Sequence, residues 1–167
     1  MGASIKLVEF NGADETESDV VNLNFGGIDS PNLNPVANPI VVGGNSFIKY
    51  LKLRVTDMDV SNKIDNVKIW ISDGELKTGE SIKTNLTTSD YTPATYSVPT
   101  NQAMSGNDMP LEEPSVQNIG IGGSLTGYFS DIGYSDYWLV QVQVQLGPST
   151  PAGNANTKTF TIQYDEQ

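Results

Sequence analysis

Leu139-Val140-Gln141-Val142-Gln143-Val144-Gln145-Leu146 alternates apolar and polar residues from Val140 onward. Successive side chains of a strand point to opposite faces, so Val140, Val142, Val144 and Leu146 share one face and the glutamines the other. A helix would scatter the same residues around its whole circumference. One apolar and one polar face is the pattern of antiparallel sheets, because parallel sheets bury both sides. Trp138 has the valine parity and is expected in the core.

The same period of two recurs through the chain. Leu51, Leu53 and Val55 alternate with Lys52 and Arg54; Val67, Ile69 and Ile71 with Lys68 and Trp70; Phe160, Ile162 and Tyr164 with Thr161 and Gln163. Weaker strand patterns cover 5–10, 20–25, 81–86, 91–98 and 119–125. Turn signals such as Asn11-Gly12, Gly43-Gly44, Asp73-Gly74 and Gly147-Pro148 separate them. No stretch of helical length carries an apolar stripe with caps. The expectation is an all-β chain: an antiparallel β-sandwich, Ig-like or jelly-roll, of about eight or nine strands. Residues 20–167 read as one domain, and 1–19 as an N-terminal arm or peripheral strand. Two long loops interrupt the strands, 26–46 with Pro31, Pro35 and Pro39, and 99–117 with Pro99, Pro110 and Pro114. Proline forbids both helix interior and central strand there, and loops this long are usually functional.

Composition excludes many chemistries. Among 167 residues there is no cysteine and no histidine. Disulfides, thiolate nucleophiles, thiolate zinc sites, Ser-His-Asp triads and His-ligated metals therefore fall away. Nine basic residues against twenty acidic ones give a net charge of −11. That balance disfavours nucleic acid, whose phosphates need clustered Lys and Arg, and equally disfavours anionic membranes. Met1 to Lys6 lacks the apolar stretch of a signal peptide, so cytosolic synthesis is expected.

The candidate sites are few. Asp57, Asp59 and Asp65 surround a turn that partly resembles a calcium loop. Asn62 stands where the sharp-turn glycine belongs, however, and Lys68 where the bidentate Glu belongs. An acidic turn bonded to its own backbone accounts for the same residues, and no metal or cofactor is expected. The acidic clusters Glu112-Glu113 and Asp131 with Asp136 read as solvated loop charge rather than a catalytic carboxylate pair. Trp70 has the parity of Lys68 and should point away from the core, either under a loop or as a binding platform that Tyr134 and Tyr137 would extend. Asn85-Leu86-Thr87 matches a glycosylation sequon, which has meaning only in a eukaryotic secretory setting.

Several phrases resemble small structural proteins of tailed bacteriophages and related viruses. They are Asn22-Leu-Asn-Phe-Gly-Gly, Pro31-Asn-Leu-Asn-Pro35, Asn45-Ser-Phe-Ile-Lys-Tyr50, Asn66-Val-Lys-Ile-Trp70, Asn118-Ile-Gly-Ile-Gly-Gly-Ser124, Gly133-Tyr-Ser-Asp-Tyr137 and Phe160-Thr-Ile-Gln-Tyr-Asp-Glu166. The resemblance spans about residues 20–166 and none of the phrases is a catalytic signature. It implies a non-enzymatic virion component of sandwich fold, a head decoration or cement protein. Its partners would be the major capsid protein or another virion protein, and further copies of itself in a homo-oligomer. Docking would fall to the 29–46 region, with Pro31, Asn32, Leu33, Pro35, Pro39 and Ile40 as interface candidates, and to the N-terminal arm. The rival expectation is a carbohydrate-binding or adhesin-like module using Trp70, Tyr134 and Tyr137.

Overall fold

The computed structural model describes residues 2–136, 140–152 and 156–167. Among these, nine strands form two antiparallel sheets: β1 (Ser4–Glu9), β2 (Ser18–Asp19), β3 (Lys49–Asp57), β4 (Ile64–Asp73), β5 (Glu80–Thr84), β6 (Asn107–Asp108), β7 (Gly133–Tyr134), β8 (Val140–Leu146) and β9 (Thr159–Glu166). The larger sheet runs β2-β1-β3-β8-β5-β6, with β7 also paired to β3, and the smaller is the ribbon β4-β9. The chain is an all-β sandwich, as the alternation requires. Trp138 and Tyr137 lie outside the described residues.

The parity reading carries over to the core. Leu51, Leu53 and Val55 of β3, Val140, Val142 and Val144 of β8, and Ile82 of β5 face Val67, Ile69 and Ile71 of β4 in one buried cluster. Register locks it: Lys49, Tyr50 and Leu51 pair with Val142, Gln141 and Val140, and a slip of one residue would turn every valine outward. The segment expected to be an arm or peripheral strand is divided. β1 is a full member of the larger sheet, pairing along its length with β3, and Val8 is completely buried.

Three expected strands are not ladders. Residues 20–25 continue from β2 with one ladder-like bond, Val20 N–H to Leu7 C=O at 3.0 Å, and then tie to the 26–46 loop while Leu23 and Phe25 pack against the core. Residues 91–98 run without strand structure, and 119–125 hold only the isolated bridge between Ile121 and Ser124. In their place loop backbone and side chains close the sandwich. The Asn118 carboxamide accepts from Ile69 N–H at 2.8 Å and donates to Ile69 C=O at 2.7 Å, imitating a neighbouring strand.

The outer faces are also covered by the chain itself. The side chain of Gln143, on the polar face of β8, has no exposure. Its amide donates to Ser46 C=O (2.8 Å) and Gln102 C=O (2.9 Å), and its oxygen accepts from Met104 N–H (2.7 Å). Tyr50, outward on β3, is buried against Tyr96, with ring centroids 4.8 Å apart, and shares a hydrogen bond with Ser97. The expectation that the glutamine face is wet is therefore corrected. Residues 96–104 lie over it, because the Gln143 and Gln145 amides satisfy loop backbone that water would otherwise solvate.

Candidate docking surface

The 26–46 loop is pinned to the sandwich by charges at its base. Glu9 and Lys49 lie on the inner, core-facing parity of β1 and β3, at the end of the apolar layer. Their side chains, 0% and 2% exposed, form an ion pair at 2.6 Å. Burying both charges requires further hydrogen bonds to the pair, and the loop supplies two. Lys49 also donates to Ser30 C=O at 2.7 Å, and Glu9 accepts from Asn32 N–H at 2.6 Å. Buried Asn11 adds a second tie, donating to Asp29 and to Ile48 C=O at 2.8 Å each and accepting from Tyr50 N–H at 3.0 Å.

The loop then braces itself. Gly27 N–H meets Asn38 C=O at 3.0 Å and Phe47 N–H meets Gly26 C=O at 3.1 Å. Gly26 has no substitute, since a Cβ there would lie 2.4 Å from the Asn38 carbonyl oxygen. Asn34 Oδ1 accepts from Val36 N–H and Ala37 N–H at 3.0 and 3.3 Å, turning the chain at the tip. Asn32 sits at φ 44° and uses its carboxamide to hold Val21 N–H and Asp19 C=O, both at 3.0 Å. These ties make the loop a shaped element of the surface.

The interface candidates divide between anchor and surface. Leu33 is 4% exposed, and Ile40 packs against the core. Pro31 is half-buried, so these three hold the loop down instead of meeting a partner. Asn32 is exposed but committed to the bonds above, and Pro35 and Pro39 are exposed. The residues best placed for contact are others: Val36 and Val41, each 77% exposed, with Val42 and Ile28 also exposed. Their sequence signal was the run Pro39-Ile-Val-Val42 before Gly43-Gly44, apolar without alternation and so not a strand with a buried face.

The aromatic candidates are not brought together as an open platform. Trp70 is 8% exposed. Lys68, on the same face of β4, is buried and reaches Glu113 of the 99–117 loop at 2.8 Å, so that loop lies beside this face. Tyr134 is exposed, yet its ring is held between Lys52 Nζ at 5.1 Å and the Arg54 guanidinium at 5.6 Å. Its hydroxyl donates to Glu17, which pushes its pKa above the usual value. Glu17 also takes Arg54 at 2.7 Å. The group therefore clasps β2, β3 and β7 together. Lys52 is held below the usual lysine range by burial.

The acidic candidates resolve into local roles. Asp57 Oδ1 accepts from Asp59 N–H at 2.8 Å, while Asp65 pairs with Lys63 and accepts from Gln167. The turn is thus tied by its own backbone and side chains. Among the described residues no three acidic side chains converge on a point where a metal ion would sit. Glu113 is used by Lys68, and Asn85 accepts from Gln141 N–H at 2.8 Å. Asp136 was read as solvated but is 4% exposed. Tyr91 donates to its Oδ2, its Oδ1 has no hydrogen-bond partner among the described residues, and the two residues line a cavity of about 10 Å³ beside Asn118 and Gly120. Burial and that bond push the Tyr91 hydroxyl far above its ordinary pKa. Set against protein-family models, curated proteins and solved structures, the chain matches none, and its functional reading rests on this geometry.

Proposed function

We propose that the protein is a non-enzymatic structural component of a virus particle, a decoration or cement protein that docks on capsid subunits through the 26–46 loop. One observation carries the reading. The loop buries Leu33 and Ile40 to fix its shape, yet leaves Val36, Val41, Val42 and Ile28 facing solvent. Exposed apolar side chains on a braced loop suit a protein partner, because a pre-shaped loop loses little conformational entropy on docking. The phrases resembling phage structural proteins support the same reading, and Pro31-Asn-Leu-Asn-Pro35 falls within this loop.

Weak contacts suffice for such a role. Copies repeated over a shell act at high effective concentration, so modest individual docking becomes durable attachment. A net charge of −11 repels copies not held by a specific interface and disfavours binding to the genome. The test is mass spectrometry of purified particles, followed by adding the protein back to particles that lack it. The protein should be present in stoichiometric amounts and should rebind. Its absence from mature particles would overturn the proposal.

A further inference from the structure

With one exception, the sheet edges among the described strands are short or covered. β2 and β6, at the ends of the larger sheet, have two residues each. The far edge of β4 is closed by loop groups. Gln117 Oε1 accepts from Val67 N–H at 3.0 Å, Asn118 bonds both backbone groups of Ile69, and Pro110 C=O accepts from Ile71 N–H at 2.9 Å. The exception is the outer edge of β9.

Backbone alternation shows which groups that edge presents. Ile69 and Ile71 turn their N–H groups to the loop, so Lys68 and Trp70 turn theirs to β9, opposite Gln163 and Thr161. Phe160, Ile162 and Tyr164 must then direct N–H and C=O away from β4. Among the described residues no hydrogen bond reaches these groups. Phe25 lies against Phe160 with ring centroids 6.4 Å apart, but residues 20–25 donate and accept nothing along β9. The usual protections of an edge are missing too. Residues 159–164 contain neither proline nor charge, and the extra residue of the bulge, where Asn66 sits at φ 49°, belongs to β4.

We propose that β9 pairs antiparallel with β9 of a second copy about a two-fold axis at Ile162, joining two β4-β9 ribbons into one four-stranded sheet. The sequence is self-complementary in that register, as a two-fold interface requires. Ile162 faces its own symmetry mate, so each outward N–H meets the other copy's C=O. Phe160 faces Tyr164, and Thr161 faces Gln163. The antiparallel sense also places Asp165 beside Thr159 of the other copy, whereas a parallel pairing would stack the acids of a chain already at −11. Strand addition of this kind draws on main-chain bonds and needs no special side chains. The inference is independent of a role in a virus particle, and its test uses purified protein alone.

Sedimentation equilibrium of the full chain, up to millimolar concentration, tests the pairing. Wild type should dimerise. Thr161→Lys with Gln163→Lys sets like charges opposite each other twice across the axis and should weaken the dimer about tenfold or more. Thr161→Lys with Gln163→Glu sets opposite charges there and should keep the wild-type association within a few fold. A wild type that stays monomeric, or a dimer equally strong in the double-lysine variant, would overturn the proposal. Amide exchange of the wild type gives a reading that needs no variant: protection of Ile162 N–H should rise with protein concentration, and fast exchange at every concentration would refute the pairing.

Discussion

Lys49 and Glu9 are the residues on which the shape of the 26–46 loop depends. A lone buried charge is far costlier than the pair, so Lys49→Met should destabilise the fold by about 3–5 kcal/mol in urea unfolding. Adding Glu9→Leu should recover part of that loss, since no orphan carboxylate then remains. The recovery should be incomplete, because Asn32 N–H loses its acceptor. Gln143 makes a similar point against simple parity. Alternation alone makes Val142→Asp disruptive and Gln143→Asp mild. With the Gln143 amide donating to two loop carbonyls and no exposure, both changes should unfold the domain or lower its melting temperature steeply. A mild Gln143→Asp would show that residues 96–104 do not cover β8. Alkaline pH tests the tyrosines. Tyr91, Tyr96 and Tyr134 all have raised pKa values, so the fold favours their protonated forms. Their stabilisation is complete below the unfolded value of 10.0 and is lost as pH climbs beyond it. Lys52, lowered by burial, acts in the opposite sense, gaining stability as pH rises towards 10.5. Tyr91→Phe should therefore flatten the loss of melting temperature above pH 10, and an unchanged slope would contradict the Tyr91–Asp136 bond.

At the scale of elements, the strong alternations were legible because each buries one face against a neighbour. β3, β4 and β9 contain their expected segments and β8 covers its own from Val140, Leu139 lying outside the described residues. Of the weaker ones, 5–10 and 81–86 fall largely on β1 and β5, and the other three failed for physical reasons. Residues 20–25 supply Leu23 and Phe25 to the side of the core but pair with no strand beyond Val20, and 91–98 spend their aromatic side chains on Tyr50 and Asp136 instead of on a ladder. Trp70 had the outward parity expected of it, but parity says nothing about burial by distant loops. For the 26–46 loop, proline spacing marks the element and the Pro39-Ile-Val-Val42 run marks Val41, but the exposure of Val36 follows from the inward packing of Leu33 and Ile40, which no sequence period encodes. Because both valines are exposed, Val36→Asp with Val41→Asp should alter stability by no more than about 0.5 kcal/mol per site, by thermal melting. The same pair should abolish rebinding to depleted particles, and full rebinding would move the docking surface elsewhere.

The whole molecule is a sandwich whose two layers and covering loops are built from one chain. Each layer of Val, Leu and Ile side chains contributes roughly 1.5–3 kcal/mol per fully buried residue, which offsets the ordering of long loops that carry no ladder bonds. The loops repay this by satisfying backbone and amide groups on the outer faces, while among the described residues the braced loop 26–46 and the outer edge of β9 stay open to contact. On a symmetric shell these would serve different contacts, the loop towards the capsid and the edge towards another copy. The direct measurement is a cryo-microscopy reconstruction of the mature particle. The account predicts density for this sandwich on the outer surface, with Val36, Val41 and Val42 seated against a capsid subunit. A particle whose surface density holds no such domain, or a domain docked with the 26–46 loop turned to solvent, would contradict it.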